Sequence, residues 1–229
     1  MLEPRQEELL TMVIDSYIKT AEPIGSRFLV EEGELDWSEA TVRNELRALE
    51  EAGYLTHPHT SAGRIPTTEG YELYLSKIDP AVLGVKASET EKLGAAKKSG
   101  SDYESGCKNM AKMLVDLSKE TVIVAFSSEK MYYTGLSNLF SKPDFAEMKL
   151  VASVSRVFDR CEEYLPRFYD RVGGDPRPYL GREHPFGEML SVVASRFGED
   201  DASLIVLLGP QRMDYKHNWS LLRQVRELI

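Results

Sequence analysis

The sequence predicts an α+β protein in two parts, and three observations favour this class. Residues 1–78 show helical periodicities followed by one short hairpin signal. Residues 106–229 contain apolar and β-branched runs of strand length between amphipathic segments. Between them, residues 79–105 are rich in Gly, Ser, Ala and Lys, which is typical of a flexible or partly helical linker. Helices and strands that are grouped in this way indicate an α+β chain.

Three helices are predicted in the first part. Apolar residues recur at helical spacing in the first segment, and proline and glycine separate it from two more. The predicted helices cover residues 4–20, 26–32 and 39–52. Ser26 and Ser38 can cap the second and third helices, because a serine hydroxyl accepts from the first free N–H groups. Gly53 follows the third helix in the usual terminating position.

The third helix has two distinct faces. Val42, Leu46 and Leu49 form the narrow stripe expected to pack on the other helices. Asn44 and Arg47 lie opposite this stripe, on a face that is otherwise small or basic. Arginine and asparagine are the side chains that bind guanine and adenine edges in a major groove. A solvated helix face with no partner remains an alternative for the same residues.

The stretch HPHTSAGRIPT follows this helix and predicts a β-hairpin, because two short extended runs flank the turn residues TSAG. Three helices followed directly by a hairpin is the order of a winged helix-turn-helix. In that architecture the hairpin, or wing, lies beside the duplex, where Thr60, Ser61 and Arg64 can meet phosphates. We expect the Arg64 side chain to project from the wing. Alternatively, Arg64 pairs with Glu69 or Glu72 and braces the wing against the next helix.

The charge distribution does not by itself indicate a nucleic-acid partner. Residues 1–80 hold 7 Lys and Arg against 16 Asp and Glu, whereas residues 81–229 hold 21 of each. Since nucleic-acid-binding domains usually carry a basic footprint, any DNA contact must depend on where the charges are placed. A winged helix that binds another protein therefore remains an alternative.

The second part is predicted as a sheet domain with flanking helices. The expected helices pass through Met110 to Leu117, through residues 144–164, and through residues 217–229. The expected strands lie at residues 121–126 and in the segments RPYLG, MLSVVASRF and SLIVLLG. Gly209, Arg212 and Asp214 fall at the end of the last strand, where a turn with an Arg–Asp interaction is expected.

Four segments together resemble one known family. They are EPIGSRFLVE, SEATVRNELRALEEAGYLTHPHTSAGRIPTTEGYELYL, GLSNLFSKPDF and LLGPQRMDY. They are similar to segments of the bacterial heat-inducible transcription repressors, the HrcA family. The resemblance implies a winged helix over residues 1–78 and a GAF-like regulatory and dimerisation domain over residues 106–229. That second domain is smaller than usual, because the family's inserted dimerising segment ahead of GLSNLF is missing here.

The resemblance also implies DNA-binding residues. On the third helix and its cap they are Ser38, Thr41, Arg43, Asn44 and Arg47. In the wing they are His59, Thr60, Ser61 and Arg64. By this resemblance, the chain is expected to be a cytoplasmic repressor of heat-shock chaperone operons. It is expected to bind double-stranded DNA at an inverted repeat, the CIRCE element. A chaperonin is implied as the partner that maintains the active repressor.

An inverted repeat requires two DNA-binding heads, so we expect a homodimer whose contact lies outside residues 1–78. The helix at Met110 and the closing helix around Trp219 and Leu222 are the candidate contacts. A small-molecule-responsive regulator with a pocket in the second domain remains an alternative function.

No enzyme activity, cofactor, metal ion or membrane contact is predicted. His57 and His59 lack nearby cysteine or carboxylate partners for a metal site, and neither is paired with a nucleophile in a recognisable motif. The two cysteines are far apart and are expected to be reduced thiols. The longest apolar run is only a few residues, well short of a membrane span.

Overall fold

The structure, a computed structural model, describes residues 2–33, 35–58, 63–127 and 130–229. The chain divides into two compact units, Met1–Ile78 and Asp79–Ile229. Helices and antiparallel sheets occur in both units, which confirms the α+β class. Within the described residues, no helix combines the length and the apolar character needed to cross a membrane.

In its described residues, the first unit contains four helices and a two-stranded sheet. Its elements are α1 (Pro4–Thr20), α2 (Ser26–Glu32), α3 (Glu39–Glu51), β1 (Leu55–Thr56), β2 (Ile65–Pro66) and α4 (Thr68–Ser76). The predicted apolar stripe of α3 is buried, at Val42, Leu46 and Leu49. The core of the unit therefore forms where the α3 stripe meets the buried residues of α1.

The ends of these helices follow local sequence signals, with one exception. The Gly53 N–H donates to the Glu50 carbonyl at 3.0 Å, and the Tyr54 N–H donates to the Leu49 carbonyl at 3.0 Å, so α3 ends in a Schellman motif. Gly53 has a φ of 84°, which glycine adopts without strain. The prediction that Ser26 caps α2 is wrong. Gly25 occupies the cap, and the Ser26 hydroxyl instead donates to Glu39 at 3.2 Å.

The hairpin prediction is confirmed. β1 and β2 are antiparallel, with Leu55 opposite Pro66 and Thr56 opposite Ile65. A third chain segment joins them through Ile24, whose N–H donates to the Arg64 carbonyl at 2.9 Å. The Arg64 N–H donates back to the Ile24 carbonyl at 2.8 Å. The wing, which we define as residues 55–66, is thus hydrogen-bonded to the loop that precedes α2.

Over the residues that the structure describes, the second unit is built on a five-stranded sheet. Its helices are α5 (Ala87–Lys98), α6 (Tyr103–Ser118), α7 (Leu136–Phe140), α8 (Met148–Asp159), α9 (Cys161–Tyr169) and α10 (Tyr215–Leu228). Its strands are β3 (Thr121–Ala125), β4 (Met131–Thr134), β5 (Arg177–Leu180), β6 (Leu190–Phe197) and β7 (Ser203–Pro210). The strand order is β4-β3-β7-β6-β5, and every neighbouring pair is antiparallel. The edge strand β4 was not expected from the sequence.

Helices cover both faces of this sheet. On one face, Ile123, Val192 and Val206 belong to an apolar cluster with Leu139 of α7 and Leu165 of α9. α6 also packs on β3 and α10 packs on β6, and every residue of β3 and β7 is buried. Because neither face meets water, these strands appear in the sequence as continuous apolar runs rather than alternating ones.

Residues 79–105 are partly helical, which was one of the two predicted forms, but α5 belongs to the second unit. Leu93 of this helix is fully buried, and α5 packs against α6 and α10. The helices approach so closely that a Cβ added at Gly106 would lie 2.8 Å from the Lys97 carbonyl oxygen. Leu93 is the only apolar residue of α5 larger than alanine, so α5 lacks the apolar periodicity by which a packed helix is recognised.

The helices predicted to form the dimer contact bury two of the residues that were named with them. Met110 and Leu222 are 1% and 0% exposed, because both side chains belong to the core of the second unit. Trp219 is half-buried. Neither Met110 nor Leu222 is therefore available to a second copy of the chain. Cys107 and Cys161 are buried free thiols.

Candidate nucleic-acid interface

The start of α3 is held by its cap residue. The Ser38 Oγ accepts from the Thr41 backbone N–H at 3.2 Å and lies 2.9 Å from the Thr41 hydroxyl. Both side chains are exposed. Removal of such a cap typically costs about 1 kcal/mol of helix stability. Ser38 therefore fixes the residue at which α3 and its outward face begin. The Ser38 side chain is itself exposed at that end of the face.

The outward face of α3 is exposed as the sequence predicts. Thr41, Arg43, Asn44 and Arg47 all face solvent on the side away from the buried stripe. The Arg43 guanidinium contacts Glu39 at 2.5 Å, and the Arg47 guanidinium contacts Glu51 at 2.9 Å. The two arginine side chains are 70% and 75% exposed. Such exposed ion pairs contribute little, so each guanidinium can exchange its carboxylate for another acceptor at small cost.

Glu45 fixes α3 to the start of α1. Its side chain is buried and accepts from the Gln6 amide at 3.0 Å and from the Arg5 guanidinium at 2.5 Å. In the sequence, Glu45 lies at the border of the apolar stripe formed by Val42, Leu46 and Leu49. A carboxylate in that position indicates a polar partner in the folded protein. That partner, Gln6, lies 39 residues away, so the sequence alone could not identify it.

Arg64 does not project from the wing, which corrects the prediction. Its guanidinium donates to Glu50 Oε2 at 2.7 Å, and the side chain is only 24% exposed. The partner is also neither Glu69 nor Glu72. It lies in the last turn of α3, on the helix that precedes the wing rather than the one that follows it. The alternative role of Arg64 as a brace therefore has support, with a different acceptor.

His59, Thr60 and Ser61 lie outside the described residues, so their assignment to a DNA contact stays a prediction. Of the other candidates, five share the exposed surface at the start and outward face of α3. They are Ser38, Thr41, Arg43, Asn44 and Arg47. Across the part of the chain that the structure describes, no cluster of three or more His, Cys, Asp and Glu could hold a metal ion.

In the second unit, the motifs GLSNLFSKPDF and LLGPQRMDY meet around a buried carboxylate. Glu120 is 2% exposed, and the Lys142 ammonium of the first motif donates to its Oε2. From the second motif, Arg212 donates to both carboxylate oxygens of Asp144, at 2.9 and 2.5 Å. A Cβ at Gly209 would lie 2.2 Å from Glu120 Oε2, so a larger residue at this position would have to displace the Glu120 carboxylate. The two motifs therefore build one alternating cluster of four charges.

This cluster corrects the expected turn interaction. Arg212 pairs with Asp144, which is 68 residues away in the sequence, and not with Asp214. Asp214 instead accepts from the His217 N–H at 3.1 Å and caps α10. Burial raises the pKa of the Glu120 carboxyl to about 7, although the neighbouring Lys142 and Arg212 charges act to lower it.

A cavity of about 300 Å³ opens in the second unit between the sheet and α9. Its lining residues are Ala125, Ser127, Leu165, Pro166, Tyr169, Asp170, Ala202 and Leu204. Most of the wall is apolar, and Ser127, Tyr169 and Asp170 supply the polar groups. A mainly apolar wall with a few polar groups is typical of small-molecule sites.

Comparison with known proteins relates both units to one family. The family model described as the HrcA protein C terminal domain matches residues 82–218. The heat-inducible transcription repressor HrcA of Frankia casuarinae is 33% identical over 183 residues, which cover 79% of this chain and 53% of that protein. HrcA of Acetivibrio thermocellus is 53% identical over 77 residues, covering 34% of this chain and 22% of that protein.

One solved structure has a similar fold. It is described as the crystal structure of a hypothetical protein. The superposition covers 100% of this chain and 98% of that protein, with a TM-score of 0.77 and 18% sequence identity. The chain spans about half the length of the Frankia relative, 53%.

Proposed function

Because the chain belongs to the HrcA family, we propose that it is a DNA-binding repressor that acts as a homodimer on an inverted repeat and silences heat-shock chaperone operons. The outward face of α3 carries this proposal. It presents Arg43, Asn44 and Arg47 to solvent, opposite the stripe that anchors the helix. These are the groups that form paired hydrogen bonds with guanine and adenine edges.

The acidic balance of the first unit has a consequence for this function. Residues 1–80 carry a net charge of −9, so long-range attraction to DNA is weak. Arg43 and Arg47 are nevertheless concentrated on the one face that would enter the groove. We therefore expect weak binding to unrelated duplexes, with most of the affinity for the operator arising from local contacts.

The proposed mechanism is occlusion of the promoter by a dimer. Two α3 helices related by a two-fold axis fit half-sites about one helical turn of DNA apart, or a multiple of it. The contact between copies is proposed to lie in the second unit, on a surface other than Met110 and Leu222, which are buried. Light scattering with and without duplex tests the dimer, and a monomer under both conditions would exclude it.

The family resemblance supports two further elements of the proposal: action in the cytoplasm, and a chaperonin that maintains the active repressor. Adding purified chaperonin and measuring the fraction of protein that binds duplex tests the second. No catalytic activity is proposed. The direct test of DNA binding is a gel shift with an inverted-repeat duplex from a chaperone promoter, competed by a scrambled duplex of equal length.

Asn44→Ala and Arg47→Ala should each reduce the preference for the operator over scrambled duplex while leaving the fold intact, because both side chains are exposed. The expected loss of discrimination is about 1–3 kcal/mol for each paired base contact. Arg27→Ala is the matched control, since Arg27 is equally exposed but lies on α2. If both α3 variants keep the wild-type preference, α3 does not recognise the bases.

A second candidate function is a repressor controlled by a small molecule, and the cavity beside α9 favours it. A thermal-shift screen of the whole chain tests this candidate. A compound that raises the melting temperature of the wild type, but not of an Ala202→Phe variant that fills the cavity, would support it. Equal shifts in both proteins would place the compound elsewhere.

A further inference from the structure

One carboxylate in the last turn of α3 contacts both arms of the wing. Glu50 Oε2 accepts from the Arg64 guanidinium at 2.7 Å, and Glu50 Oε1 contacts Nδ1 of His57. His57 directly follows β1, and Arg64 directly precedes β2. The three side chains are 21%, 24% and 35% exposed, so the contacts are partly shielded from water. Charge-assisted contacts of this kind are among the stronger hydrogen bonds of proteins.

The wing needs such a contact because its own ladder is short. β1 and β2 pair over only two residues each, and an isolated two-stranded hairpin is marginally stable in water. The pairing of Arg64 with Ile24 holds one edge of β2 through the backbone. That pairing acts on β2. The base of the hairpin is held near the end of α3 by Thr67, whose hydroxyl donates to the Gly53 carbonyl at 2.7 Å, and by the buried Leu55 side chain. Glu50 adds a side-chain contact from α3 to the two arms farther from this base, at His57 and Arg64.

We propose that Glu50 is the positioning residue of the wing: it holds both hairpin arms at a fixed distance from the outward face of α3. The inference rests on the proposed function, since the placement of the wing affects affinity only if the wing meets the duplex. It also changes the role assigned to Arg64, because its guanidinium pairs with Glu50 inside the protein instead of with a DNA phosphate. The opposite possibility is that Glu50 masks Arg64 and weakens DNA binding.

The first part of the test needs no DNA. Amide hydrogen exchange at Thr56 and Ile65 is measured in the whole chain for the wild type, Glu50→Ala, Glu50→Gln and Glu72→Ala. Glu72 is an exposed carboxylate in the same unit and controls for the loss of one negative charge. We expect Glu50→Ala to exchange roughly tenfold faster at both amides, as for the loss of one charge-assisted hydrogen bond. Glu72→Ala should match the wild type.

Glu50→Gln is the conservative variant. Its amide oxygen still accepts from Arg64, and its N–H group can donate to the His57 ring, so exchange should stay close to the wild-type rate. A melting temperature measured for each variant shows whether the unit as a whole remains folded. If Glu50→Ala and the wild type exchange at the same rate, Glu50 does not hold the wing, whatever the protein binds.

The second part measures affinity for the inverted-repeat duplex from a chaperone promoter. Glu50→Ala should bind roughly tenfold more weakly, a difference of about 1.4 kcal/mol, with Glu50→Gln near the wild type. Adding Arg64→Ala to Glu50→Ala should cause little further loss, because the two residues act as one contact. If Glu50→Ala and Glu50→Gln both bind more tightly than the wild type, Glu50 masks Arg64 and the proposal is overturned. Wild-type protein that binds no duplex would instead contradict the proposed function, and the exchange rates would still decide the role of Glu50.

Discussion

Replacing Lys142 with Met should lower the free energy of unfolding of the second unit by about 3 kcal/mol at pH 8 and by far less at pH 5. The reason is the buried Glu120 carboxylate, to which the Lys142 ammonium donates. Removing one partner of a buried ion pair leaves the other charge without compensation, which costs more than the pair itself contributes.

The dependence on pH follows from the pKa of Glu120, which burial raises to about 7 from the ordinary value of 4.5. A carboxyl whose folded pKa is raised favours the folded state most below the unfolded pKa, and this contribution is lost as pH rises through about 7. At pH 8 the group is charged and needs the Lys142 cation. At pH 5 it is protonated, so the loss of the cation has little effect.

Urea denaturation at pH 5 and pH 8 measures this effect. Trp219 reports on the second unit, and a Trp37→Phe background removes the other tryptophan of the chain. Lys130→Met is the matched control, because Lys130 is 57% exposed in its pair with Glu104 and should contribute less than about 1 kcal/mol at either pH. Equal losses for Lys142→Met at both pH values would show that the charge of Glu120 is not the cause.

His184 also has a shifted pKa in the second unit, but it does not affect the comparison between the two proteins. Its Nε2 donates to the Leu190 carbonyl at 2.9 Å and its Nδ1 accepts from the Phe186 N–H at 3.2 Å, and burial lowers its pKa to about 4. The stability that His184 contributes is present above pH 6.5 and is lost as pH falls through about 4. This change is common to the wild type and the variant, so it cancels in their difference.

Gly63→Ala should lower the free energy of unfolding of the first unit by about 2–3 kcal/mol, because the added methyl group overlaps backbone atoms. A Cβ at this position would lie 2.5 and 2.6 Å from the carbonyl carbon and oxygen of Ile24 and 2.7 Å from the carbonyl carbon of Pro23. Backbone atoms cannot rotate away as a side chain can. The hydrogen bonds between Ile24 and Arg64, at 2.9 and 2.8 Å, must therefore lengthen or break.

The measurement is urea denaturation followed by Trp37 in a Trp219→Phe background, with amide exchange at Ile24 as the local readout. Gly25→Ala is the control from the same chain segment, since its Cβ would meet no heavy atom within 4 Å. Gly25 caps α2, so this control should cost less than about 1 kcal/mol. The explanation is wrong if Gly63→Ala is as stable as the wild type, or if the control loses as much.

Local patterns were sufficient to predict the first three helices and the hairpin of the first unit, and the outward face of α3. Helical spacing of apolar residues determines which side of α3 is buried, and this leaves Asn44 and Arg47 exposed without reference to any distant residue. Ser38 and Gly53 act on backbone groups within a few residues, so the ends of α3 are also local properties. For the same reason the hairpin could be predicted from its turn residues alone.

Contacts between distant residues were decided only by the tertiary structure. The Arg64 side chain could reach several carboxylates, and the antiparallel pairing with Ile24 brings it to Glu50 rather than to Glu69 or Glu72. Lys142 lies 22 residues from Glu120, and only the folded sheet brings the two together. α5 was missed because Leu93 is its only buried residue, so no apolar stripe marks the helix in the sequence. In each case the stabilising free energy comes from burial and from a partner that is distant in the sequence. No local sequence pattern identifies that partner.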